Sequence, residues 1–291
     1  AGSNVGTSAA NSIIRDVTAP VVAMLTPSDL TIIGTIDDSA TYAISGSCNE
    51  NGQTVSIEVD AIAAVSQAGF NCDGTNFTGT INTTGLADNT YAFTAKISDS
   101  AGNETISATN NITKDTALPL VAITTPADLS FINTTTDSAT FAISGTCNEN
   151  AQTVVIKIDG VSATSPIGFN CDGTNFSGTI DTTGLTEATL AFSAELTDAG
   201  SNVGTSAANT ITRDLTIPTL AIDAPAVIAL VNESSYTVSG TCDEDTATVN
   251  IVLGALATTT TCSSGTWSKT SWNVSTESDN AAIAITADYY D

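Results

Sequence analysis

The chain has 291 residues, with six basic against 31 acidic side chains and no histidine, for a formal charge of −25. That charge repels nucleic-acid backbones and anionic membrane surfaces, and with no histidine and so few bases, acid–base chemistry could rest only on carboxylates. No run reaches the roughly 18 apolar residues needed to cross a bilayer, and no charged-then-apolar leader opens the chain, so its export signal and any anchor are expected elsewhere.

Taken in chain order, Val5 to Arg15 is a strand-like segment that recurs as Glu104 to Lys114 and as Val203 to Arg213, with Ile13, Ile112 and Ile211 in register. A border, Asp16-Val17-Thr18-Ala19-Pro20, follows the first of these. It returns as Asp115-Thr116-Ala117-Leu118-Pro119 and Asp214-Leu215-Thr216-Ile217-Pro218. Proline fixes its own φ and restricts the residue before it, which makes these connectors stiff. Next comes Ser45-Gly46-Ser47-Cys48-Asn49-Glu50, matched by Ser144 to Glu149 and Ser239 to Glu244. A spacing near 100 residues therefore divides the chain into 17–115, 116–214 and 215–291, with 1–16 left over.

Inside each repeat the apolar residues alternate by two, as in half-buried strands. Val55, Ile57 and Val59 are matched by Val154, Ile156, Ile158 and by Val249, Ile251, Leu253. A later strand carries Tyr91, Phe93, Ala95 and Ile97, matched by Leu190, Phe192, Ala194, Leu196 and by Ile283, Ile285, Ala287, Tyr289. No segment has helical periodicity, so the fold class is all-β: three tandem β-sandwiches forming a rod. The six cysteines fall as one pair per repeat, Cys48 with Cys72, Cys147 with Cys171 and Cys242 with Cys262. Three regular pairs read as disulfides inside the repeats, which places the chain in an extracellular or cell-surface setting.

The third repeat stops at Asp291, which matches Asp99 and Asp198, so its seventh strand is missing. Residues 1–16 supply a copy of that strand for a neighbouring unit. The expected polymerisation interface is Val5, Thr7, Ala9, Asn11 and Ile13 against Ile283, Ile285, Ala287 and Tyr289. The expected partner is a further copy joined head to tail, by strand donation or as one continuous polypeptide.

The Asp-x-Thr-x-Pro border, the Ser-Gly-x-x-x-Glu strand end and the hairpin Asp99-Ser100-Ala101-Gly102-Asn103 resemble bacterial immunoglobulin-like repeats, which form the shafts of large surface adhesins. The disulfide is a departure, since many such repeats lack it. The resemblance implies a structural, non-enzymatic role with no catalytic residues, and interdomain calcium as a candidate cofactor. Its ligands would come from Asp16, Asp99, Asn103, Asp115, Asp198, Asn202 and Asp214, residues that equally suit turn hydrogen bonds. A second reading makes the third repeat a tip that recognises a glycan or protein on a host or neighbouring cell. Its aromatic residues Trp267, Trp272, Tyr289 and Tyr290 would carry that, although Trp267 and Tyr289 also suit core positions.

Overall fold

The computed structural model describes residues 2–3, 5–279 and 282–290, and every regular element among them is a β-strand. The first repeat runs β1 (Val22–Thr26), β2 (Ile32–Ile33), β3 (Tyr42–Cys48), β4 (Val55–Val59), β5 (Ile62–Ala63), β6 (Asn76–Ile81), β7 (Asn89–Ser98), β8 (Glu104–Ile106) and β9 (Asn110–Lys114). The second repeats this order as β10 (Val121–Thr125), β11 (Ser130–Ile132), β12 (Phe141–Cys147), β13 (Val154–Ile158), β14 (Val161–Ser162), β15 (Asn175–Ile180), β16 (Ala188–Thr197), β17 (Val203–Thr205) and β18 (Asn209–Arg213). The third is shorter, with β19 (Leu220–Ile222), β20 (Tyr236–Cys242), β21 (Thr248–Leu253), β22 (Leu256–Thr261), β23 (Thr266–Trp272) and β24 (Ile285–Asp288).

Six sheets result, two per repeat. The first repeat pairs β1-β3-β6 with β2-β9-β7-β4-β5, where β8 extends the pairing along β7, and the second repeat does the same. This is the strand order of an immunoglobulin-like sandwich. The third repeat pairs β19-β20-β23 with β22-β21-β24. The repeats fall into two compact units, the first two in one and the third in the other.

Alternation decides what each strand buries. In β4, Val55, Ile57 and Val59 point inward while Ser56 and Glu58 point out, and they meet Ile44, Phe77 and Ile81 from the facing sheet. The core is thin in aromatics, so close backbone approach matters. A Cβ on Gly46 would stand 2.1 Å from the Ala23 carbonyl oxygen and 2.4 Å from the Phe77 ring. Gly145 and Gly240 are crowded in the same way by Phe176 and Trp267, which is why Ser-Gly recurs in every copy. In the third repeat the larger Trp267 fills this space, and its indole N–H donates to the Ala221 carbonyl at 3.2 Å.

All three cysteine pairs are disulfides, each joining the end of β3, β12 or β20 to the segment before β6, β15 or β23. Replacing Cys147 and Cys171 together by serine should lower the stability of the second repeat by about 3 kcal/mol, the entropy of a closed loop of this length. A urea titration that left the midpoint of that repeat unmoved would contradict it.

Candidate strand-acceptor site

In the first repeat the closing strand β9 lies in a slot with a partner on each side. It pairs antiparallel to β7, with Tyr91 opposite Ile112 and Asn89 opposite Lys114, and parallel to β2, with Ile32 opposite Thr113. The second repeat places Ile211 opposite Leu190 in the same way. Ile112 and Ile211 are both 0% exposed.

Each closing strand ends in a buried cation. Lys114 Nζ donates to the Thr83 carbonyl at 2.9 Å and pairs with Asp38 at 2.9 Å. Arg213 donates to the Leu185 carbonyl at 2.6 Å and pairs with Asp137 at 2.8 Å. Burial alone would push Asp38 up, yet hydrogen bonds from Lys114 and Thr83 and the Lys114 charge together hold its carboxyl below the usual range. The Arg213 hydrogen bond holds Asp137 low in the same way.

The segment from Glu104 to Lys114 reads in sequence as one strand, but it is two. Ser107 breaks the pairing: its N–H donates to the Ala95 carbonyl, and its hydroxyl receives the Ala95 N–H at 2.9 Å. Ser206 and Ala194 repeat this geometry. The kink changes the phase of alternation, so Gly204 is buried while Val203 and Thr205 face outward. Ser8 and Gly6 occupy the corresponding positions of the leading segment, and strict two-residue counting overlooks both.

In the third repeat, the described residues contain no strand on the far side of β24. Phe93 and Ala95 of β7 are buried, but their counterparts Ile285 and Ala287 are only half-buried; Ile283 is half-buried like its counterpart Tyr91 in the first repeat, and Tyr289, the counterpart of Ile97, is covered. β24 keeps four residues where β7 has ten. Opposite it, no strand forms between Ile222 and Tyr236, and Val227, Leu230 and Val231 are more than 80% exposed. Between these two walls opens a cleft of about 560 Å³, lined by Ile228, Leu230, Tyr236, Leu253, Val274, Ile283 and Ile285 and by Glu233, Glu277 and Asp279. Residues 5–15 form no strand, and Ile13 is 92% exposed. Asp291, which aligns with the turn residues Asp99 and Asp198, lies outside the described residues, as do Ala1 and Asn4 of the same motif.

Tyr289 is buried because its hydroxyl has work at the start of the repeat. It donates to the Asp243 carboxylate, lies 2.9 Å from the Thr219 carbonyl oxygen and receives the Asp243 N–H at 3.2 Å. Asp243 also accepts the Thr219 hydroxyl at 2.6 Å and the Thr219 N–H at 2.8 Å. Asn49 and Asn148 accept the Val21 and Leu120 N–H groups at the equivalent position. Trp267 and Trp272 are core residues and offer no stacking face, while Tyr290 is exposed.

The border residues form hydrogen-bonded turns. Asp16, Asp115 and Asp214 accept the N–H of Thr18, Ala117 and Thr216, two residues on in each case. Asp99 Oδ1 caps the Ala101 and Asn103 N–H groups, and the Asn103 side chain donates to Asp99 Oδ2 at 2.7 Å. Chiefly the Asn103 hydrogen bond holds Asp99 low. Between the first two repeats, Asn202 is fully buried. Its amide donates to Asp198 Oδ2 and to the Asp115 carbonyl, each at 2.8 Å, and its oxygen receives the Thr35 N–H at 2.7 Å. Burial, then the charges of Asp198 and Asp115, push Glu149 up nearby. The oxygens that calcium would need thus converge on an amide nitrogen, and no group of three acidic, cysteine or histidine residues among those described could hold a metal. As placed, these residues make hydrogen-bonded turns and, at Asn202, a hydrogen-bonded joint between the first two repeats.

No protein-family model and no curated protein matches the chain. Among solved structures it is similar to a Ca²⁺-stabilised adhesin that helps an Antarctic bacterium reach out and bind ice, at 24% identity over 94% of this chain and 73% of that one, with a TM-score of 0.43. It is also similar to a 1.5-MDa bacterial ice-binding adhesin studied for host cell surface retention, at 17% identity over 93% of this chain and 96% of that one, with a TM-score of 0.39. The I9–I11 tandem of titin aligns at 14% identity over 92% of this chain and 95% of that one, with a TM-score of 0.29. The class defined by the sheets described above is an all-β chain of tandem immunoglobulin-like sandwiches, stapled by disulfides.

The Thr219 hydroxyl, then the Tyr289 hydroxyl and the Thr219 N–H, lower the Asp243 pKa to about 2 from an ordinary 3.8. A carboxyl depressed on folding stabilises above its unfolded pKa, and that contribution is lost as pH falls toward the folded value. The melting temperature of the third repeat should therefore fall between pH 4 and pH 2, and Asp243→Asn should flatten that part of the profile. Parallel profiles for the two proteins would refute the assignment.

Proposed function

We propose that the chain is a structural unit of an extracellular or cell-surface array of immunoglobulin-like repeats, without catalytic activity, in which residues 5–15 of a following unit close the third sandwich. The following unit is a separate copy or the continuation of one polypeptide. The observation that carries this is the pair of occupied slots in repeats one and two, beside an open slot of the same kind in repeat three. The sequence that fills the first two recurs, exposed, at residues 5–15. Three disulfides support an oxidising location.

The register follows from the two closed repeats. Ile13 falls opposite Ile283, Asn11 opposite Ile285 and Gly6 opposite Tyr289, with Ser8 taking the Ala287 N–H. Burying Ile13 contributes about 2–3 kcal/mol, and covering Ile283 and Ile285 adds to it. An unpaired edge with an apolar inner face is the kind of surface that strand addition satisfies. Donor and acceptor are different surfaces of one chain, so the contact is heterologous and does not close on itself.

Sedimentation of the full chain at increasing concentration should show head-to-tail oligomers, and Ile13→Asp or Ile285→Asp should each weaken association about 100-fold or more. A mixture of the two variants should stop at a heterodimer. Oligomers unaffected by either change would refute the strand register. A denatured, unreduced species near 29.3 kDa would assign the donor to a separate copy, and a far larger one to a continuous polypeptide.

A further inference from the structure

We infer that the third repeat reads its incoming strand through the Arg15 guanidinium, which Glu233 and Glu277 clamp at the end of the open slot. This rests on the strand-acceptor reading above.

Three of the chain's six basic residues, Arg15, Lys114 and Arg213, occupy the same position at the end of a closing strand. In the two closed repeats that cation is at most 6% exposed and contacts one carboxylate and the backbone carbonyls of the loop after β6 or β15. Arg15 is exposed and has no such partners. Backbone hydrogen bonds identify the matching loop of the third repeat. The Thr83 N–H donates to Ser39 O and the Thr182 N–H to Ser138 O, while Val274 N–H donates to Glu233 O at 2.7 Å.

That correspondence exposes a concerted change. The acid Asp38 or Asp137 becomes Asn232, and the hydroxyl that props it, Thr83 or Thr182, becomes Val274. The carboxylates have moved to the neighbouring positions: Glu233 replaces Ser39 and Ser138, and Glu277 replaces Leu86 and Leu185. Both line the cleft. Glu277 Oε1 receives the Ala255 N–H at 2.9 Å, which fixes the side chain at the slot. Lys269 is the only basic residue from position 214 onward, so neither glutamate has a cation at hand within the repeat. A guanidinium presents a planar fork that two carboxylates and loop carbonyls can satisfy together, which an ammonium does less well. The slot is thus matched to the arginine of this chain's own leading segment.

The test uses the full chain carrying Ile13→Asp, which cannot donate to itself, as acceptor, and a labelled peptide of residues 2–16 as probe, with binding read by fluorescence anisotropy. We expect Arg15→Gln in the peptide to weaken binding about 10-fold, Arg15→Glu about 100-fold, and Arg15→Lys only a few-fold. On an acceptor also carrying Glu233→Gln and Glu277→Gln, the Arg15→Gln penalty should vanish. These acceptor changes are isosteric, and the peptide changes place no demand on folding. Equal binding of the unmodified and Arg15→Gln peptides, or an equal penalty on both acceptors, would overturn the clamp while leaving strand docking intact. Failure of the unmodified peptide to bind would overturn both.

Discussion

A β-sandwich of this type depends on one strand that has a neighbour on each side. In the first two repeats the closing strand satisfies the backbone edge of β7 or β16, pairs with β2 or β11 on its other side, and seals the core with one isoleucine. The third repeat differs among its described residues: β24 has four residues, no strand lies between Ile222 and Tyr236, and Ile285 and Ala287 are half-buried where Phe93 and Ala95 are dry. In the closed repeats both edges are ordered by a single segment.

Charge placement follows the same logic. In a chain this acidic, a base is a scarce resource, and two of the six basic residues, Lys114 and Arg213, sit at the ends of closing strands. Lys96 with Glu104 and Lys157 with Glu195 are partly exposed pairs across neighbouring strands, which contribute little to stability. Lys114 and Arg213 differ because they are buried with hydrogen-bonded partners, where removing one member would leave an uncompensated charge. Burial makes such an end residue a strong selector of register.

Much of this was legible in sequence, and the reasons are physical. Period-two alternation in Val55 to Val59 and its copies reports which face is buried, and the paired cysteines report a staple, because both depend on local spacing. The kink at Ser107 was not legible, since a serine that takes a strand N–H onto its hydroxyl looks like any polar residue in an alternating run. The parallel pairing of β2 was hidden as well: two residues, Ile32 and Ile33, form a strand only because Thr113 and Lys114 lie beside them. The relocation of acid from Asp38 to Glu233 shows only when a backbone hydrogen bond fixes the alignment through a four-residue deletion. The border aspartates fitted two chemistries in sequence, and in the structure each accepts the N–H two residues on, while Asn202 bridges Asp198 and the Asp115 carbonyl.

The placement of the disulfides has a consequence for a chain under load. Each bond ties the end of β3, β12 or β20 to a point 24, 24 or 20 residues onward, so the tied segment excludes the first and last strands of the repeat, by which a tandem chain would be pulled, although its first cysteine pairs across the sheet with the first strand. If a repeat yields, the tied loop cannot pay out, and about 80 Å of contour stays withheld in each of the first two. A stretched array of such units would lengthen in short, bounded steps, and the locked loop would hold two strands together as a seed for recoiling once tension drops.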